Sequence, residues 1–135
     1  MLVNSFKLRT ILLVGNDHAA NFLNRIFIRH LELDIKVDIV LNGKEAIDFI
    51  YSSSFMGPCL LILDSKMPVM DGWEFLDAYD KVFRKETKDQ IIIVMIASGK
   101  DNLAMLKAKK NPYVAEYLQK PLFEKKFKEL IKKYF

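Results

Sequence analysis

Asp64 closes the stretch "CLLILDSKMPVMDG", in which a run of large aliphatics breaks into lysine, proline and glycine. A run of that kind is buried on both faces of a sheet, so an acid at its end stands at the surface, is paired, or is in use. Few other groups offer chemistry. Cys59 is the only cysteine and sits inside the same apolar run, which excludes an internal disulfide and reads as a buried structural thiol. His18 and His30 stand alone, with no paired Cys or His at zinc-ligand spacing. Of 21 basic and 17 acidic residues, much of the +4 excess lies in "KPLFEKKFKELIKKYF". No arginine stands among these lysines, so they read as a solvated helix face rather than a nucleic-acid footprint.

The elements that must position Asp64 follow from patterning. A chain of 135 residues is long enough for one substantial core and too short for two, so residues 1–135 are expected to form a single domain, with 1–8 as an N-terminal extension. With 51% hydrophobic and 28% charged residues the composition is globular, and disorder is excluded. The longest apolar stretches fall far short of the ~20 residues of a membrane span. "MLVNSFKLRT" lacks the apolar core and small-residue cleavage site of a secretory signal, which makes the cytoplasm the expected location. Apolar runs alternate with helical patterns throughout, the mark of a βαβ series. Strands are expected at 10–15, 35–40, 59–64, 90–97 and 114–118.

Between the strands, 19–31 carries Ala19, Phe22, Leu23, Ile26, Phe27 and Leu31 at helical spacing, one apolar face. Helices are also expected at 44–51 and 72–81. A terminal helix sets Phe123, Phe127, Leu130, Ile131 and Tyr134 on one face. Asn42 with Glu45, and Asp71 with Glu74, have capping-box spacing. Strands one, three and four are continuous apolar runs, suited to the centre of a parallel sheet. "IKVDIV" alternates and "YVAEYL" carries a glutamate, as edges do. The order 2-1-3-4-5 with right-handed crossovers follows, a flavodoxin-like α/β fold doubly wound with helices on both faces. Its topological switch point lies between strands one and three, so Asp64 stands at the mouth of the expected crevice.

At this point "ILLVGNDHAANFLNRIF", "LLILDSKMPVMDGWEF", "IIIVMIASGK" and "EYLQKPL", in that order and spacing, resemble the receiver domain of bacterial two-component response regulators. The resemblance runs from about Leu8 to the C-terminus, and D-x-x-M-P-x-M-D-G followed about fifty residues later by K-P is a specific signature. It implies a signalling module rather than an enzyme, in which Asp64 accepts a phosphoryl group from a sensor histidine kinase or phosphotransfer protein. A downstream protein target would then read the change. A carboxylate is a weak nucleophile and the transferred phosphoryl group carries spread negative charge, so the chemistry needs positioning and cations. Lys120, before Pro121, matches the family lysine, and the Lys66 carbonyl matches a ligand position for Mg²⁺. Met67 and Met70 belong to the family loop.

Two departures accompany the match. The acidic pair that holds Mg²⁺ in receivers is replaced by Gly15 and Asn16. A site of Asn16, Asp64 and the Lys66 carbonyl, with Asp17 either leaning in or capping the first helix, would bind Mg²⁺ weakly. The Ser or Thr that ends strand four in receivers is Ala97, with Ser98 one place on, although strand neighbours point to opposite faces. Tyr117 fills the aromatic switch position. The expected function is that of a stand-alone phosphoacceptor receiver. The alternative is a phosphorylation-independent pseudo-receiver, with Asp64 and Lys120 held as a salt bridge. A flavin-type binder of the same topology is disfavoured by "GNDHAAN", which lacks a Ser/Thr/Gly-rich phosphate loop.

Overall fold

The computed structural model describes residues 7–135; the first six residues, which make up most of the expected extension, lie outside them. Five strands form one parallel sheet: β1 (Thr10–Val14), β2 (Lys36–Val40), β3 (Cys59–Asp64), β4 (Ile91–Ala97) and β5 (Val114–Gln119). Their order is β2-β1-β3-β4-β5, as the hydrophobic patterns require. Every residue of β1 and β3 is buried, whereas β2 and β5 are largely half-buried, which is how central and edge strands differ.

Two apolar layers sandwich the sheet. On one side α2 (Gly43–Tyr51) and α3 (Gly72–Val82) bring Ala46, Ile50, Phe75, Leu76 and Tyr79 against Leu12, Leu61 and Ile93. On the other, α1 (His18–Arg29) and α6 (Glu124–Tyr134) bring Ile28, Phe127, Leu130 and Ile131 against Ile11, Leu13, Leu60 and Ile62. Leu8 is fully buried in this second layer, although it falls inside the expected extension. Each such side chain contributes about 1.5–3 kcal/mol of burial. Cys59 is fully buried, and burial pushes its thiol far above the usual range, consistent with a structural role. Among the described residues no helix is long and apolar enough to cross a membrane.

Helix starts obey the capping rules. Asp71 and Glu74 form a complete box, with the Glu74 amide donating to Asp71 Oδ1 at 2.9 Å and the Asp71 amide to Glu74 Oε1 at 3.0 Å. Asn42 caps α2, but Glu45 reaches back one residue further, to the amide of Leu41.

The structure corrects three expectations. The buried residues of α1 are Asn21, Asn24 and Ile28, whereas Phe22 and Leu23 are 65% and 50% exposed. Of the expected face, Phe27 and Leu31 do pack against the second layer, so the apolar spacing was right at the C-terminal end of the helix and failed at Phe22 and Leu23. Phe123 does not lie on the buried face of the terminal helix; it is the N-cap of α6 and mostly exposed. Finally, two helices separate α3 from β5 where none was expected: the single turn α4 (Lys85–Lys88) and α5 (Asn102–Lys110). Only Ala108 of α5 is buried, so its sequence carries no apolar stripe to announce it.

Candidate functional site

Asp64 ends β3 at the carboxyl edge of the sheet and is only 5% exposed. Both its oxygens are engaged. The Lys66 amide donates to Oδ1 at 3.2 Å, and Lys120 Nζ donates to Oδ2 at 2.6 Å. Lys120 is aimed there by the loop after β5, where the Lys120–Pro121 peptide is cis and the Lys120 amide bonds to the Ala97 carbonyl at 2.9 Å. The pair joins the two strands flanking β4 and cancels its own charge.

The glycine of the M-D-G stretch has a steric reason. A Cβ on Gly72 would lie 2.6 Å from the Asp64 carbonyl oxygen and 3.0 Å from Ser65 Cα, both backbone atoms that cannot yield. Gly72 also donates to the Ser65 carbonyl at 3.1 Å, so α3 begins pressed against the end of β3. Met67 and Met70 pack against the α2–α3 layer, and Gly43 donates to the Met70 carbonyl at 2.9 Å.

Two clefts open beside Asp64. The smaller, about 240 Å³, is lined by Lys66, Trp73, Ala97, Asp101, Tyr117 and Lys120 among others. Burial and the nearby Asp101 carboxylate push the Tyr117 hydroxyl above its ordinary value. Ala97 is buried at the end of β4 and presents no donor. Ser98, just past the strand, is exposed and lines both clefts. Lys107 Nζ lies 4.4 Å from the Trp73 ring centroid, tying α5 to α3 across this cleft. Sequence reasoning missed that contact because it had no helix to carry Lys107. The larger cleft, about 400 Å³, lies on the α1 side and reaches from Asp64 and Lys120 to Phe27 and Phe123.

The expected metal ligands are not assembled into a site. Asp17 caps α1, its Oδ1 accepting from the Ala20 amide at 3.0 Å, and Asn16 is exposed. Asn21, which sequence reasoning had not singled out, donates to the Gly15 carbonyl at 2.9 Å and holds the turn after β1. Among the described residues no three His, Cys, Asp or Glu side chains gather to hold a metal. Mg²⁺ needs near-octahedral oxygen ligation. Here it would meet one carboxylate whose charge is already answered at 2.6 Å by Lys120, so the residues present do not fit the ion.

Comparison with known proteins agrees with this architecture. A family model described as the response regulator receiver domain matches residues 11–132. A two component response regulator from Cytophaga hutchinsonii is 28% identical with a TM-score of 0.82, over 94% of this chain and 96% of that one. A response regulator receiver protein from Dyadobacter fermentans is 23% identical with a TM-score of 0.81, over 94% and 98% of the two chains. The chemotaxis response regulator CheY4 of Vibrio cholerae is 19% identical with a TM-score of 0.74, over 95% and 99%. The last two likenesses speak to the fold alone. No curated protein matches this sequence.

Proposed function

Because the chain belongs to the response regulator receiver domain family, and so to two-component signalling, we propose that Asp64 is its phosphoacceptor and that it signals through protein contacts. The observation that carries this is the buried Asp64 at the carboxyl end of β3, with the Lys120 ammonium 2.6 Å away between two open clefts. In the proposed step an Asp64 oxygen attacks the phosphorus of a phosphohistidine on a sensor kinase or phosphotransfer protein. The O–P bond forms as the N–P bond breaks, and the departing imidazole takes a proton from solvent. Lys120 supplies the cation that offsets the charge on the transferred group. Receivers generally hold Mg²⁺ in an acidic pocket; the proposed step here proceeds without it and is accordingly slow.

A second function is favoured by specific residues. Gly15, exposed Asn16 and Ala97 remove the acids and the hydroxyl that would hold a metal and a phosphoryl group. The same fold then acts as a pseudo-receiver, recognising its partner with the Asp64–Lys120 pair intact. Intact mass after incubation with acetyl phosphate separates the two. Slow gain of one phosphoryl group, absent in Asp64→Asn, is the expected result; no gain on prolonged incubation would leave the pseudo-receiver.

A further inference from the structure

The larger cleft holds a group for which phosphoryl transfer has no use. Asn24, on the second turn of α1, lines it, is 8% exposed, and has no hydrogen-bond partner among the described residues. Its neighbour one turn earlier, Asn21, is equally buried but donates to the Gly15 carbonyl at 2.9 Å. The described side-chain atoms that are fully enclosed without a partner are Thr10 Oγ1 and Asp38 Oδ2, so the Asn24 amide is not sealed off but opens on the cleft. Leucine would suit the surroundings, since Leu13, Leu23, Phe27 and Ile62 also line the cleft. The amide is therefore open to a partner from outside the chain.

We propose that this cleft binds a small uncharged molecule with an apolar, ring-sized body and one polar group that pairs with Asn24. The volume, about 400 Å³, lies within the range of ligand pockets, at its small end. Phe27 and Phe123, whose ring centroids are 6.3 Å apart, and Leu23 on the rim give the apolar grip. The amide offers both a donor and an acceptor, so an N–H, hydroxyl or carbonyl would serve. Charge is disfavoured because the charged groups of the lining are already answered: Asp64 and Lys120 by each other, and Asp17 by the Ala20 amide. An ionic head would shed its water with nothing left to meet it. Because the cleft ends on Asp64 and Lys120, an occupant covers the approach to Asp64 from the α1 side, making this a place where a small molecule sets the signalling state. The site does not depend on Asp64 being phosphorylated, and its test uses the unmodified protein.

The probe is N-phenyl-1-naphthylamine, a neutral apolar dye with a single N–H, titrated against the full chain and followed by fluorescence. Saturable one-to-one binding is expected, weakened at least fivefold by Asn24→Leu and by Phe27→Ala. Leu103→Ser with Leu106→Ser, on the exposed face of α5, should leave the affinity within twofold and so excludes general surface stickiness. The Asn24→Leu variant should melt no lower than the parent, which separates lost binding from lost folding. Dye that fails to saturate, as expected if a partner's helix fills the groove instead, overturns the proposal. So does an Asn24→Leu variant that binds the dye undiminished, or one that melts lower because the amide serves the fold.

Discussion

Neutralising either member of the Asp64–Lys120 pair should weaken the fold, and neutralising both should cost less than the sum. At 2.6 Å the gross attraction is roughly 6 kcal/mol with an effective dielectric of about 20. Desolvation takes back much of that, since the Asp64 side chain is only 7% exposed. Breaking a deeply buried pair costs ~3–5 kcal/mol because the surviving charge is left unanswered. Lys120 is 25% exposed, and water partly screens whichever partner remains, so we expect about 2–3 kcal/mol for Asp64→Asn or Lys120→Met. For a domain of this size that is a fall in Tm of roughly 8–12 °C. The double variant should recover ~1–2 kcal/mol relative to additivity. Calorimetric melts of the parent, both single variants and the double at pH 7 read all of this. An Asp64→Asn variant that melts higher than the parent would refute the reasoning. It would mean that Asp64 is held among like charges, as in receivers with a full acidic pocket, and that Lys120 does not offset it.

Three further outcomes follow from neighbouring geometry. Gly72→Ala should destabilise by about 1–3 kcal/mol, because its Cβ would sit 2.6 Å from a backbone oxygen of Asp64; a melt equal to the parent would show that α3 can shift without strain. Millimolar Mg²⁺ should leave the fluorescence of Trp73, which lines the smaller cleft, unchanged, and a saturable response would show Asp17 leaving its cap to join Asp64. Burial pushes Glu116 upward, but hydrogen bonds from the Tyr134 hydroxyl and from Lys133 outweigh it and hold the carboxyl below its ordinary 4.5. A depressed folded value means that its stabilisation is complete above that pH and lost as pH falls through the folded value. The Tm gap between parent and Glu116→Gln should therefore be widest near neutrality and close under acid; a gap constant with pH contradicts the assignment.

What could be read from the sequence was whatever burial writes as a repeating pattern. "CLLIL" and "IIIVMIA" are apolar without interruption because β3 and β4 are covered on both faces, and the alternation of "KVDIV" reports an edge. From those strands alone the order, the switch point and the position of Asp64 followed. The hydrogen bond from Lys120 could not follow, since it depends on a loop whose path no periodicity encodes. α5 was missed for the opposite reason: Ala108 is its one buried residue, so burial writes no repeating pattern along it.

The error on α1 has a different character. Counting apolar residues at helical spacing pointed to Phe22 and Leu23, yet the helix turns them outward and buries two amides in their place. The helix keeps Ile28 buried and Phe27 and Leu31 packed against the sheet, but each large side chain left outside forgoes about 1.5–3 kcal/mol of burial. One of the amides, Asn21, compensates locally by holding the Gly15 carbonyl beside the site. The other, Asn24, compensates nothing inside the described chain. Where local pattern and native packing disagree in a domain that otherwise follows its pattern closely, the disagreement marks a surface kept for something other than stability. On this chain it falls on α1, which walls the cleft leading to Asp64.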